Sequence, residues 1–127
     1  MKKIIAVYGG IFFILLSFLA SASASGHKTI TSDELKKMME SGPALKIVDV
    51  REPELFRGAR IPGAINIPYE GAQKRILKEL NPGERIVFVC HGGPMGDELA
   101  QILTKNGYKD VYNLKGGMRK WPGPYAG

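Results

Sequence analysis

The spacing of apolar residues along the chain predicts short helices alternating with short strands. A capping-box pattern occupies residues 31–34, the arrangement in which a threonine hydroxyl and a glutamate carboxylate satisfy the first amides of a helix. Gly42 and Pro43 end the predicted helix. Its apolar face consists of Leu35, Met38 and Met39. We interpret the two methionines as core filling.

Four later segments have the length and composition of β-strands. Three of them, 44–50 (ALKIVDV), 64–68 (AINIP) and 110–114 (DVYNL), are brief and rich in β-branched residues. The fourth, 85–90 (RIVFVC), is a continuous apolar run, which is typical of a central strand covered on both faces. The prolines and glycines of residues 51–64 exclude a long helix, so a loop with at most one helical turn is expected there.

Two amphipathic segments separate these strands. Residues 70–80 and 97–107 each place apolar side chains on one helical face and end at a turn signal. The apolar positions are Ile76, Leu77, Leu80, Leu99, Ile102 and Leu103. Strands that alternate with helices predict an α/β domain with a mainly parallel central sheet and helices on both faces. The Gly/Pro-rich tail, 121–127, is expected to be a surface terminus on which Trp121 packs against the domain.

The first 24 residues have the pattern of an export signal. Lys2 and Lys3 precede an uncharged run, 4–20, which leads into the small-residue stretch ASASAS. This pattern predicts a signal peptide at 1–24, a domain at 25–127 and an exported, periplasmic location. The alternative is an uncleaved membrane anchor, because the apolar run lies at the short limit of a membrane span.

Composition excludes several classes of protein. A chain of 127 residues with 44% hydrophobic residues fits one globular domain. Removing Lys2 and Lys3 lowers the formal net charge from +6 to +4, and the remaining charges are interleaved, so nothing indicates a nucleic-acid partner. A single cysteine excludes an internal disulfide. No metal site is expected, since Cys90 and His91 are adjacent and His27 lies in a segment expected to be flexible.

That one cysteine, Cys90, occupies the position of a binding or catalytic site. Ligands of parallel sheets bind beyond the carboxyl ends of the strands, where the run 85–90 ends. Gly92 and Gly93 leave backbone N–H groups uncovered, so the loop can surround an anion at a helix N-terminus and favour thiolate over thiol. Asp97 competes for the same field. A buried packing cysteine is the alternative, but it would not need a Gly-rich turn behind it.

Four segments in order resemble the single-domain rhodaneses, a family of sulfurtransferases. They are 49–52 (DVRE), 56–68 (FRGARIPGAINIP), 86–90 (IVFVC) and 106–121 (NGYKDVYNLKGGMRKW). Each segment alone is a weak signal, whereas all four in the family's order make a strong one. The resemblance implies a rhodanese-like α/β fold over most of the predicted mature chain.

The resemblance also implies a chemistry that needs no metal or cofactor. The cysteine takes a sulfane sulfur from a donor such as thiosulfate, holds it as a persulfide and passes it to a thiol, a thiol-containing protein or cyanide. Cys90 would be the nucleophile, and Asp49 and Arg51 would order the neighbouring loops. The loop that holds the persulfide and the donor oxyanion would be His91, Gly92, Gly93, Pro94, Met95 and Gly96.

The loop departs from the family pattern at two positions. Met95 and Gly96 replace the arginine and serine that the family usually has there. Loss of that arginine removes a charge-assisted hydrogen bond to a dianionic donor. His91 either replaces the missing charge as an imidazolium or has no role, and Met95 is expected to pack beneath the loop. The alternative function is a non-catalytic rhodanese-like module that binds a partner or a small anion, or carries a persulfide without rapid turnover.

Overall fold

The structure is a computed structural model that describes residues 26–42 and 44–127. The predicted signal peptide or anchor, residues 1–24, lies outside the described residues. Within the described ranges, no helix is both long enough and apolar enough to cross a membrane.

The centre of the domain is a five-stranded sheet in which every adjacent pair is parallel. The spatial order is β1-β5-β4-β2-β3, so the apolar strand that precedes Cys90 is the middle strand of the sheet. The strands are β1 (Lys28–Ile30), β2 (Leu45–Asp49), β3 (Ile65–Asn66), β4 (Arg85–Val89) and β5 (Val111–Leu114). The predicted α/β class and parallel sheet are confirmed.

Helical segments connect the strands. They are α1 (Ser32–Glu40), α2 (Pro53–Gly58), α3 (Ala72–Glu79), α4 (Pro94–Lys105) and a 3₁₀ helix (Gly117–Lys120). The predicted capping box is present, since the Thr31 side chain accepts from the Glu34 amide and the Glu34 side chain accepts from the Thr31 amide. This cap fixes the start of α1.

Alternation along β4 divides the core into two layers. Ile86 and Phe88 face a layer formed with α3 and α4, whereas Val87 and Val89 face a layer that contains Leu35 of α1. All four β4 side chains are fully buried. Because side chains of a strand alternate between faces, an apolar run covered on both sides belongs in the centre of the sheet. Cys90 is therefore carried by the most firmly packed strand.

Two helices and one strand differ from the sequence prediction. Helix α4 begins at Pro94, three residues before the predicted segment, and α2 begins at Pro53 within the predicted loop. Proline suits the first helical position because its fixed φ is helical and its missing N–H would have no partner there. Strand β1 was not predicted. Its three residues are too few to show alternation, and pairing with β5 forms it.

The C-terminal tail lies at the surface, as predicted, and is held to the domain at two points. Trp121 is buried, as expected, and its indole Nε1 donates to the Pro124 carbonyl at 2.8 Å. Arg60 and Ala126 exchange two backbone hydrogen bonds, at 2.9 and 2.8 Å. These bonds hold the tail beside the loop that follows α2.

Candidate active site

Cys90 lies where the central strand ends and the turn into α4 begins. Its Sγ accepts a hydrogen bond from the Gly93 amide at 3.0 Å, and the residue is 1% exposed. Gly93 has φ of 128°, a conformation that favours glycine, and this conformation turns its N–H toward the sulfur. The first residue of α4 follows directly, so the sulfur lies at the positive end of a helix of 12 residues.

The 3₁₀ helix holds the loop from the other side. The Met118 amide donates to the Cys90 carbonyl at 2.8 Å, and the Arg119 amide donates to the His91 carbonyl at 3.0 Å. Gly117 has φ of 54°, and a Cβ on it would overlap the Cys90 carbonyl oxygen. The segment around Gly117 therefore fixes the backbone of the cysteine loop. Sequence reasoning used it only as part of a family pattern, although its paired glycines were a signal of close approach.

Asp49 and Arg51 form a buried ion pair at the end of β2. The Arg51 Nη2 donates to Asp49 Oδ2 at 2.8 Å, and the Arg51 amide donates to Asp49 Oδ1 at 2.9 Å. Both side chains are buried: Arg51 is 8% exposed and Asp49 is 1% exposed. Arg51 Nη2 also donates to the Ala59 carbonyl at 2.6 Å. The pair thus joins the end of β2 to the loop after α2, and its side chains form no hydrogen bond with Cys90.

Hydrogen bonds connect the end of β2 to β4, the strand before Cys90, and to β3. The Val50 amide donates to the Val89 carbonyl at 2.9 Å, one residue before Cys90. Asn66 Nδ2 donates to the carbonyls of Asp49 at 2.9 Å and Arg51 at 3.0 Å. Sequence reasoning missed Asn66, because no local pattern shows that an amide on β3 reaches β2.

His91, one of whose two alternative roles was to supply the charge that the loop lacks, is paired with a carboxylate outside the loop. His91 Nε2 lies 2.9 Å from Glu52 Oε1. The pKa of the Glu52 carboxyl is below its ordinary value, because the carboxylate accepts hydrogen bonds from its own backbone N–H and from His91. An imidazolium at His91 is thus neutralised by Glu52, which weakens the proposal that it replaces the family arginine.

Asp97 is also paired. Its Oδ1 lies 2.7 Å from His27 Nε2, and the His27 side chain is only 11% exposed. Pairing of β1 with β5 brings the start of the described chain to the N-terminus of α4. The prediction that His27 lies in a flexible segment is therefore wrong. Its imidazole is thus one hydrogen-bond partner of the Asp97 carboxylate.

Asn113 explains the glycine at position 96. Its buried amide Nδ2 donates to the Gly93 carbonyl at 2.9 Å and to Asp97 Oδ1 at 3.3 Å. A Cβ on Gly96 would overlap Asn113 Oδ1. The space of the family serine is thus occupied by a side chain from β5 that also supports the cysteine loop. Sequence reasoning missed Asn113, since position 113 reads only as part of a strand.

Gly96→Ser should destabilise the protein, although serine is the residue usual in the family. We expect a loss of about 1–3 kcal/mol in the free energy of unfolding, measured in denaturant, because the core is overpacked at this point. Gly58→Ser is the control, since a Cβ there meets nothing within 4 Å. In an Asn113→Ala background the cost of Gly96→Ser should decrease. Equal costs for both serine variants would contradict the explanation.

Met95 packs beside the loop instead of facing it. It is half-buried against the core layer under α4 and lines a cavity of ≈ 290 Å³ together with Val50 and Tyr69. Glu52 and Glu70 border the same cavity. The Met95 side of the loop is therefore apolar with an acidic border.

Comparison with known proteins identifies the family. The family model described as "Rhodanese-like domain" matches residues 31–123, and the chain belongs to this family. YrkF of Bacillus subtilis (strain 168) is 38% identical over 82% of this chain, which spans 56% of the length of that relative. The Shewanella oneidensis protein named thiosulfate sulfurtransferase GlpE is 31% identical over 76% of this chain and 94% of its own length.

Solved structures agree with this assignment. The crystal structure of a rhodanese-like domain protein from Staphylococcus aureus matches with a TM-score of 0.67 and 36% identity. The match covers 74% of this chain and 90% of that chain. The family therefore includes proteins named as sulfurtransferases, and the predicted rhodanese-like fold is confirmed.

Proposed function

We propose that this protein is a sulfurtransferase that moves a sulfane sulfur from a small anionic donor such as thiosulfate to a thiol or cyanide through a persulfide on Cys90. The observation that carries the proposal is the hydrogen bond from the Gly93 amide to Cys90 Sγ at the N-terminus of α4. Relatives named thiosulfate sulfurtransferase support it. The sequence of residues 1–24 supports action outside the inner membrane, where the partners would be small sulfur compounds or protein thiols.

The proposed reaction has two displacement steps. In the first, the Cys90 thiolate attacks the outer sulfur of thiosulfate, so that a new S–S bond forms while the bond to the SO₃ group breaks. Sulfite leaves with the bonding electron pair, and Cys90 becomes a persulfide anion. In the second, an acceptor thiolate or cyanide attacks the terminal sulfur, and the thiolate of Cys90 is released. No oxidant or reductant is consumed.

The chain contributes electrostatic stabilisation and positioning to both steps. Negative charge passes between Cys90 Sγ, the added sulfur and the leaving sulfite. The Gly93 N–H and the N-terminus of α4 lie where that charge resides. The backbone bond from Met118 to the Cys90 carbonyl keeps the sulfur in this position.

Single-turnover kinetics would test the proposal. Purified, reduced protein mixed with thiosulfate and no acceptor should release one sulfite for each Cys90, because the persulfide then blocks a second attack. Addition of cyanide or glutathione should turn this burst into continuous turnover, measured as thiocyanate or as a low-molecular-weight persulfide. Release of no sulfite at a saturating thiosulfate concentration would contradict the proposal.

The second candidate is a persulfide carrier or binding module without rapid turnover. Methionine at position 95, half-buried against the core and without a positive charge to offer a donor, favours this candidate. The same experiment separates the two functions. A burst without acceleration by any acceptor indicates a carrier, whereas continuous turnover indicates the enzyme.

A further inference from the structure

Arg119 lies directly over the cysteine loop. Its backbone is fixed by the hydrogen bond from its amide to the His91 carbonyl, at 3.0 Å. A Cβ placed on Gly92 would lie 3.1 Å from Arg119 Nη1 and 3.8 Å from Cζ. The guanidinium therefore covers the backbone two residues after Cys90, and only a glycine at position 92 leaves it ample room.

The Arg119 guanidinium differs in its partners from two other cations near the loop, His91 and Arg51, whereas Lys115, like Arg119, is in none of the ion pairs of the described residues. His91 is paired with Glu52, and Arg51 with Asp49. Among the described residues, no carboxylate forms an ion pair with Arg119. An exposed guanidinium without an acidic partner keeps its planar set of donors available for an oxyanion.

The charges around the loop are divided between two sides. Glu52 and Glu70 border the cavity on the Met95 side, where a second negative charge would be repelled. On the other side, a groove of ≈ 450 Å³ is lined by Gly92, Gly93 and Lys115, and also by the carboxylates Asp97 and Glu98. Carboxylates thus border the loop on both sides, and the guanidinium of Arg119 covers the loop backbone itself at Gly92.

We propose that Arg119 binds the oxyanion end of the donor and supplies, from the 3₁₀ helix, the positive charge that the loop lacks at Met95. The inference rests on the proposed function, because it assigns a binding residue to that reaction. Guanidinium binds two oxygens of a sulfonate-like group in parallel, so Arg119 would hold the SO₃ group while the outer sulfur points toward Cys90. Sulfite leaves from the same position.

The test compares two reagents that alkylate Cys90 and differ in charge. Iodoacetate is an anion and iodoacetamide is neutral, and each loses iodide when the thiolate attacks its carbon. Arg119→Gln should lower the ratio of the iodoacetate rate to the iodoacetamide rate by about fivefold to tenfold. Arg119→Lys, which keeps the charge without the planar donors, should give an intermediate ratio. The burst of sulfite release from thiosulfate should slow in the same order.

Two control variants separate Arg119 from general charge effects. Lys109→Ala removes one positive charge just before β5, at the end of the sheet opposite Cys90, and should change the ratio by less than about twofold. Lys115→Ala removes the other cation beside Gly92. A larger effect from Lys115→Ala than from Arg119→Gln would overturn the assignment.

The alkylation ratio also distinguishes failure of this inference from failure of the proposed function. It requires only the thiol, so it reports on Arg119 even if thiosulfate loads no sulfur. In that case a lowered ratio would still support an anion site, while the sulfurtransferase proposal would be lost. An unchanged ratio would overturn the assignment. This includes the case in which both rates fall by the same factor, because Arg119→Gln would then have altered the loop without affecting its preference for an anion.

Discussion

Cys90→Ser should abolish sulfur loading completely. After incubation with thiosulfate, the intact mass of the wild-type protein should increase by one sulfur atom, and that of the variant should not change. The chain contains a single cysteine, so no other side chain can form the persulfide. A serine hydroxyl is a far weaker nucleophile than a thiolate and forms no persulfide. This loss is the largest effect on activity that we expect.

The variant should remain folded, which makes the loss interpretable. A serine Oγ can accept the hydrogen bond that the Gly93 amide donates to Cys90 Sγ. Its thermal unfolding midpoint, measured by circular dichroism, serves as the control. Gain of sulfur by the folded variant would show that sulfur is held elsewhere, and the role assigned to Cys90 would be wrong.

Local sequence patterns were sufficient to predict the central strand of the sheet and the start of the first helix. Strand β4 was predicted from its continuous apolar run, and the start of α1 from its capping box, because both signals depend on neighbours in sequence. The position of Cys90 at the end of the central strand followed from these elements. Parallel strands align their carboxyl ends, so a site at that edge was predictable without coordinates.

The partners of the loop were not predictable, because they come from distant parts of the chain. Asn113 fills the space above Gly96 from β5, and Arg119 reaches Gly92 from the 3₁₀ helix. His27 meets Asp97 across 70 positions of sequence. Departures from the family pattern at Met95 and Gly96 looked like losses in the sequence. In the structure, Asn113 occupies the space of the serine, and the Arg119 guanidinium lies close to the loop.

Such compensation changes how the loop is interpreted. A family motif records which residue supplies a group, whereas the chemistry requires only that the group lie in the right place. Here the residue beside Gly96 and the free guanidinium both come from the segment 113–119, which follows α4 in the chain. The loop and this segment are therefore in direct contact, and substitutions in either should be judged against the other.

Of the substitutions proposed here, Asp49→Ala should lower the free energy of unfolding most. It leaves Arg51 in place, 8% exposed and without its carboxylate, and an uncompensated buried charge typically costs about 3–5 kcal/mol. The free energy of unfolding in denaturant measures this loss. Glu79→Ala is the control, because it breaks an exposed ion pair with Arg75. The Arg75 side chain is 46% exposed and the Glu79 side chain 45%. We expect that control to cost far less than Asp49→Ala, because solvent screens an exposed pair.

The double variant Asp49→Ala/Arg51→Met tests the physical reason for this loss. If the cost comes from the unpaired guanidinium, removing that charge as well should restore part of the stability, as apolar replacements of buried ion pairs do. Recovery should be incomplete, because Arg51 also donates to the Ala59 carbonyl. If Asp49→Ala costs no more than Glu79→Ala, the pair does not hold the end of β2, and the bond from Val50 to Val89 must join β2 to the strand of Cys90 without it.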